Sequence, residues 1–187
     1  MNALENWFCS TSFWRRVTRE QLLPWTLGDS NLGQHLLEIG AGAGAATCEL
    51  QKRVPRVTSL EYDHAFAVRV RQRTALGSSV VQGDASTLPF ASGTFTSAIA
   101  ILVLHHLRSS ELQGRAFAEV HRVLRTGGQF YAVDIQDSWL HRAVHIKSTF
   151  VPIRPAALEA RLASAGFADV ALDFRSGAFR IRATRQN

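Results

Sequence analysis

The sequence is short of several things, and each shortage narrows what it encodes. It has two cysteines, Cys9 and Cys48, with no CxxC spacing. That count favours a reduced, cytoplasmic setting in which both are buried or incidental. There is no run of about 18 apolar residues, the length a membrane-spanning helix needs, so neither a transmembrane helix nor a membrane partner is expected. Glu5 stands early and no basic segment leads into an apolar one, so no signal peptide is expected. Internal repeats, linkers and low-complexity stretches are absent. With 187 residues, 46% hydrophobic and 19% charged, the chain is expected to form a single domain, residues 1–187, with a substantial buried core.

Acidic residues are outnumbered, 15 against 21 basic, for a net charge of +6 that comes largely from arginine. Such a balance raises nucleic acid or an anionic substrate as a partner. The basic residues are dispersed rather than run together, the pattern of solvated surface charge, so a nucleic-acid partner is not favoured.

What is present centres on Leu36-Leu37-Glu38-Ile39-Gly40-Ala41-Gly42-Ala43-Gly44-Ala45-Ala46-Thr47. Leu36, Leu37 and Ile39 form the apolar run of a strand covered on both faces. Gly40, Gly42 and Gly44 allow backbone angles closed to other residues and let a ligand approach the main chain. A helix follows from Ala45 to about Arg53, and its first N–H groups lack internal partners. This is a place to hold a polar, extended cofactor. Dinucleotide-binding enzymes use a similar turn, and this stretch satisfies their pattern if Ala45 replaces the last glycine. Three features point elsewhere. Glu38 lies inside the strand end, where a carboxylate reaches a cationic ligand. The glycines form Glu-x-Gly-x-Gly-x-Gly. A second acidic station, Gly83-Asp84-Ala85, follows the third predicted strand, Ser79 to Gln82. On these residues the sequence resembles the class I S-adenosylmethionine-dependent methyltransferases.

The later stations extend the resemblance. Glu61 ends the second predicted strand, 21 residues after Gly40. An ionised carboxylate there offers two acceptor oxygens to the hydroxyls of a ribose; the family usually has aspartate. Tyr62 is placed to lie against the adenine, while Asp63 is expected to cap the helix from His64 to about Thr74. The resemblance assigns Asp84 to the adenine amino group and the Ala85 N–H to a ring nitrogen. It also counts Ala41, Ala100 and Ile101 among the cofactor residues. Val103-Leu104-His105-His106-Leu107 resembles the Leu-His-His segment of small-molecule methyltransferases. The Asn/Asp-Pro-Pro-Tyr/Phe segment of amino-methylating enzymes is absent. Thr96 replaces a common aspartate, which removes a usual support of the sheet. Ser110 is expected to cap a helix, Glu111 to Leu124, stopped by Gly127 and Gly128. Glu119 to Gly128 resembles the family's helix-to-strand signature, with Thr126 in place of proline. The fifth strand runs Gln129 to Asp134, and residues 169–174 and 178–184 pair around Ser176-Gly177. The fold implied is α/β: a Rossmann-like three-layer sandwich around a seven-stranded, mostly parallel sheet of order 3-2-1-4-5-7-6 with an antiparallel last strand. Open sheets of this kind bind ligands at the carboxyl ends of their strands.

His105 and His106 are the candidate catalytic residues, since an imidazole titrates near neutrality and could take a proton from a substrate hydroxyl. Alternatively, one binds backbone across the loop or contacts the methionine part of the cofactor. No metal is expected: adjacent histidines lack the i, i+4 helical spacing, and no Cys or carboxylate set accompanies them. Residues 1–27 precede the core, residues 28–187. A helix is expected from Thr11 or Ser12 to Leu23, stopped by Pro24. Such a segment often forms a lid in the family. Trp25 and Leu22 read as packing residues, and Trp7, Phe8 and Trp14 fit either role. Residues 136–151, with Trp139, His141, His145, Lys147 and Phe150, are the least readable stretch; the resemblance implies a substrate wall, which many members of the family form at this position. Arg175, Arg180, Arg182 and Arg185 gather positive charge near the end, as solvated edge-strand charge or as an RNA contact.

The resemblance implies transfer of a methyl group from S-adenosylmethionine to O, N or C of a small-molecule acceptor by in-line displacement. The protein's part is alignment and exclusion of water. RNA or protein methylation is the alternative that the charge favours. A degenerate cofactor-binding scaffold is another. A short-chain reductase needs Tyr-x-x-x-Lys, and Ile135 stands where that lysine would follow Tyr131. Oligomeric state is left open.

Overall fold

The computed structural model of the chain describes residues 3–74 and 78–186. Among these, seven strands form one sheet in the order β3-β2-β1-β4-β5-β7-β6. They are β1 (His35–Ile39), β2 (Arg56–Glu61), β3 (Ser79–Gln82), β4 (Phe95–Ile101), β5 (Leu124–Ile135), β6 (Phe167–Arg175) and β7 (Ala178–Arg185). The first five pair in parallel, and β7 is antiparallel to both of its neighbours. The expected strand order is therefore the observed one.

The central strands β1, β2 and β4 are largely buried on both faces because helices cover both. Successive side chains alternate between two cores. Leu37 and Ile39 of β1 join Ala98, Ala100 and Phe130 against Phe117 and Val120 of α6 (Ser110–Val123) and Leu158 and Leu162 of α8 (Leu158–Ser164). Leu36 of β1 turns the other way, with Val57 and Ile99, against Leu23 and Leu27 of α3 (Leu23–Leu27) and Leu50 of α4 (Thr47–Leu50). Ala67 and Val70 of α5 (His64–Arg71) pack with Ala41 and Val80.

The N-terminal segment departs from expectation. It holds α1 (Ala3–Cys9), α2 (Ser12–Val17), a π-helical turn (Thr18–Leu22) and then α3. Thr11 caps α2, its hydroxyl accepting from the Trp14 N–H at 3.1 Å. Pro24 does not end the coil. It sits in the first turn of α3, where its missing N–H costs little, and the widened turn before it lets the Leu23 N–H reach Thr18 O. The coil stops at Gly28, whose φ of +50° is open to glycine. At α6, Ser109 rather than Ser110 is the cap, accepting from the Leu112 N–H. That helix ends before Gly127 and Gly128, which fall within β5.

Thr96 also departs from expectation, because it does support the sheet. Its hydroxyl accepts from the His35 N–H at 3.0 Å and lies 2.8 and 2.9 Å from the carbonyls of Leu32 and His35. The approach is so close that a Cβ on Gly33 would fall 2.6 Å from Thr96. Thr96→Val keeps the shape and removes the acceptor and the donor. It should cost about 1–2 kcal/mol in urea denaturation, with an unchanged circular dichroism spectrum.

The C-terminal arginines are engaged by the fold. Arg175 lies over the Trp25 ring at 4.7 Å and Arg182 over Tyr131 at 5.8 Å. Arg180 pairs with Asp173 and donates to the Trp25 carbonyl, and Arg185 donates to the Arg122 and Leu124 carbonyls. Three of the four therefore tie β6 or β7 to α3 or to the end of α6. Among the described residues, no helix is long and apolar enough to cross a membrane.

Candidate active site

The carboxyl ends of β1 to β5 open into a cavity of about 780 Å³, within the range of small-molecule and cofactor pockets. The glycine turn after β1 forms its floor. The Gly40 N–H donates to Leu60 O at 2.8 Å, and a Cβ there would lie 2.4 Å from Val103 Cγ2, so only glycine lets the turn meet the end of β4. Gly42 is different. Its φ is +53°, and a Cβ built on it meets nothing within 4 Å; the residue borders the cavity.

Three carboxylates stand at the strand ends. Glu38 is buried, and its Oε2 accepts from the Thr47 and Ser59 hydroxyls, each at 2.6 Å. Burial holds its carboxyl above the ordinary carboxylate range; the two hydroxyls oppose this and the neighbouring charge of Glu61 adds to it. Glu61 accepts from the Gly42 N–H at 2.7 Å through Oε2 and from the Asp63 N–H at 2.9 Å through Oε1. Burial also raises this carboxyl, against those backbone bonds. Each oxygen retains a further lone pair, so the ribose contact expected of Glu61 is shared with the turn it braces. Asp84 Oδ1 accepts from the Ser86 N–H and hydroxyl at 2.7 and 2.8 Å.

Glu38 gives a signed pH prediction. A carboxyl whose folded pKa lies above its unfolded value, about 4.3, destabilises the fold once pH exceeds the folded value, and the cost vanishes below the unfolded one. Glutamine does not titrate, and its amide oxygen accepts the same two hydroxyls. The stability of Glu38→Gln relative to the native chain should therefore rise from acid to neutral pH. Thermal melting across that range reads it, and a gap that shrinks with pH would contradict it.

Of the residues expected at the cofactor, Glu38, Gly40, Ala41, Gly42, Glu61, Tyr62, Asp84, Ala85 and Ile101 border this one cavity. Gly44 and Ala100 do not. Gly44 closes the turn onto α5, where an added Cβ would meet Val70 Cγ2 at 3.5 Å. Ala100 is fully buried in the sheet core; alternation along β4 sends Ile101, not Ala100, toward the cavity.

His105 and His106 border the cavity as well. His105 is buried, with Nδ1 2.5 Å from Asp134 Oδ1 at the end of β5, and its backbone N–H donates to Oδ2 at 3.2 Å. His106 Nδ1 lies 3.0 Å from Thr149 O. Burial first, and then His105, push the His106 imidazole down to about 3, so it is neutral at pH 7. The sequence reading named His145 only within the stretch expected to form a substrate wall, and gave Asp134 and Glu5 no site role. His145 comes from the stretch after α7 (Trp139–Val144), and Glu5 from α1. Neither position has a local motif; Asp134 shares only its place at a strand end with Glu61 and Asp84. Phe8, Trp14 and Thr18 of the N-terminal segment border the cavity too.

These groups fit the cofactor implied by the resemblance. The space above Gly42 is one that a side chain would fill. The strand-end carboxylates supply acceptors for hydroxyl and amino groups and negative charge for a cation.

Comparison with known proteins agrees. The family model described as a methyltransferase domain matches residues 37–132, slightly more than half the chain. An uncharacterised methyltransferase of Synechocystis sp. is 33% identical over 110 residues, covering 58% of this chain and 51% of that protein. The ubiquinone/menaquinone biosynthesis C-methyltransferase of Paracoccus denitrificans is 29% identical over 126 residues, covering 64% of this chain and 48% of that protein. The chain thus spans about half the length of the curated relatives it matches. Among solved structures, a chain from the complex between the Haloferax volcanii Trm112 methyltransferase activator and a putative methyltransferase superimposes with a TM-score of 0.81. Identity there is 16%, over 98% of this chain and 94% of that one, which is a likeness of fold. Other solved chains with this fold are described as S-adenosylmethionine-dependent methyltransferases. Floor, strand-end carboxylates and family model agree, and the chain belongs to the methyltransferase domain family, the class I enzymes that use S-adenosylmethionine.

Proposed function

We propose that this chain methylates a small, largely apolar acceptor carrying a ring hydroxyl, of the phenol or quinol class, at oxygen or at a ring carbon. The observation that carries this reading is the cavity lining apart from the glycine turn and the strand-end carboxylates. Phe8, Trp14, Leu107, Leu112, Ile135 and Val144 are its apolar members, and the histidines, Glu5 and Thr18 are polar points among them. Apolar pockets with a few placed polar groups orient ligands of that kind. The quinone-pathway name of the Paracoccus relative supports the same class.

When bound, S-adenosylmethionine supplies an electrophilic methyl group, so the protein needs no covalent intermediate. In this reading Glu61 and Asp84 hold the nucleoside, and the floor at Gly42 gives it room. Nδ1 of His106 faces a carbonyl, which only accepts, so Nδ1 carries the proton and Nε2 the lone pair. An imidazole with a pKa of about 3 is a poor base at neutral pH. His106 therefore receives a hydrogen bond from the acceptor hydroxyl and orients it. In this reading Phe8, Cys9, Trp14 and Thr18, which border the cavity, help to keep water out. The reaction is placed in the cytoplasm, in keeping with the free thiols of Cys9 and Cys48.

Labelled-methyl transfer tests this reading against a panel of phenols and quinols, total RNA and protein extract. Label in an apolar phenol or quinol is the expected result. Label in RNA or protein alone would overturn it, and no transfer to any acceptor would favour a non-catalytic scaffold.

A further inference from the structure

The fold brings a third imidazole to the paired histidines. One ring nitrogen from each of His105, His106 and His145 lies within 4.8 Å of the others. Their ring centroids are 4.2, 5.0 and 5.4 Å apart. Each ring is also held from outside the cluster. His105 Nδ1 faces Asp134 Oδ1 at 2.5 Å, His106 Nδ1 faces Thr149 O at 3.0 Å, and His145 Nδ1 faces His141 O at 2.6 Å. All three partners are acceptors, so each Nδ1 carries a proton and each Nε2 holds a lone pair. N–H groups held by carboxylate or carbonyl oxygens, with the other ring nitrogen left bare, are the arrangement that supports metal-ligating histidines. Packing alone would not require all three to share one tautomer.

We propose that His105, His106 and His145 bind a divalent transition-metal ion of the zinc class through their Nε2 atoms, next to the methyl-transfer site. Three imidazoles suit zinc, and three protein ligands leave a coordination position for a small molecule. That position faces the cavity bordered by all three rings. The carboxylate of Glu5 lies at the edge of the cluster, Oε1 3.8 Å from His145 Nε2 and Oε2 accepting from the Ser148 hydroxyl at 2.9 Å; it offsets the charge of the ion. With the ion bound, the Nε2 lone pair of His106 is held by the metal, and the ion, in place of that histidine's hydrogen bond, draws in the acceptor hydroxyl and lowers its pKa, the proton passing to solvent. This supplies what a weakly basic histidine does not. The spacing argument against a metal considered neighbours along one helix; here the third ligand comes from 39 residues beyond His106, counted along the chain.

The use of the ion rests on the proposed acceptor, but the site does not, and the test separates the two. The full chain is dialysed against Zn²⁺ at neutral pH and its metal content measured, and Co²⁺ is added to a second sample for visible spectroscopy. One ion per chain, with the strong visible bands of four-coordinate cobalt, is expected. His145→Ala and His106→Gln should each weaken Zn²⁺ binding at least about 100-fold, the upper end of what loss of a supporting partner alone costs. Circular dichroism and thermal melting of both variants serve as the control for folding. No stoichiometric uptake by the native chain, or uptake undiminished in either folded variant, would overturn the site. Uptake without any effect of Zn²⁺ on methyl transfer to a phenol would keep the site and overturn its use.

Discussion

Gly42→Val lowers the affinity for S-adenosylhomocysteine at least about 100-fold, which corresponds to about 2.7 kcal/mol of binding energy, while the chain stays folded. The expectation comes from two facts about one residue. The Cβ direction of Gly42 is open, with nothing within 4 Å, so a side chain there starts clear of the protein and takes ligand space. The φ of +53° is strained for a branched side chain, at a cost of about 1–3 kcal/mol. That cost lowers the melting temperature without unfolding a domain of ordinary stability. Fluorescence competition measures the affinity and calorimetric melting the fold. Unchanged affinity in a folded variant would show that the ligand does not lie over this turn.

Asp134→Ala is expected to cost about 3–5 kcal/mol of stability, because it leaves three donors without their acceptor at about 1–3 kcal/mol each, not fully additive. Asp134 is fully buried. Its Oδ1 accepts from His105 Nδ1 and, at 2.7 Å, from the Ile135 N–H, and its Oδ2 accepts from the His105 N–H. Alanine leaves three donors without their acceptor at the junction of β5 and the loop that carries both histidines. Asp134→Asn keeps one accepting oxygen and should lose less. Guanidinium denaturation of the three forms gives the order. A loss below about 1 kcal/mol for alanine, the range of an ordinary single hydrogen bond, would mean that the pair does not hold this loop.

The sheet was legible in the sequence because its signals are local. Leu36-Leu37-Glu38-Ile39 is an apolar run before glycines, and the strand ends are marked by Glu61 and Asp84. The helix at Pro24 was misread because proline breaks a regular helix, whereas here a π-helical turn absorbs the missing bond. Thr96 was read as a lost support because its hydroxyl reaches partners 61 and 64 residues away. Gly44 and Ala100 belong to the right segments but face away from the cavity, and a motif does not state which way a residue points. The histidine cluster was half legible. His105 and His106 stand together in the chain, but His145, Asp134 and Glu5 join them only through the fold.

Calorimetric titration of the purified chain with S-adenosylmethionine, S-adenosylhomocysteine and NADH tests the central claim most directly. The account predicts one saturable site for each of the first two and no heat from the third. Binding of NADH alone would contradict it, returning the glycine turn to the dinucleotide-binding enzymes and leaving Glu61 and Asp84 without their assigned roles.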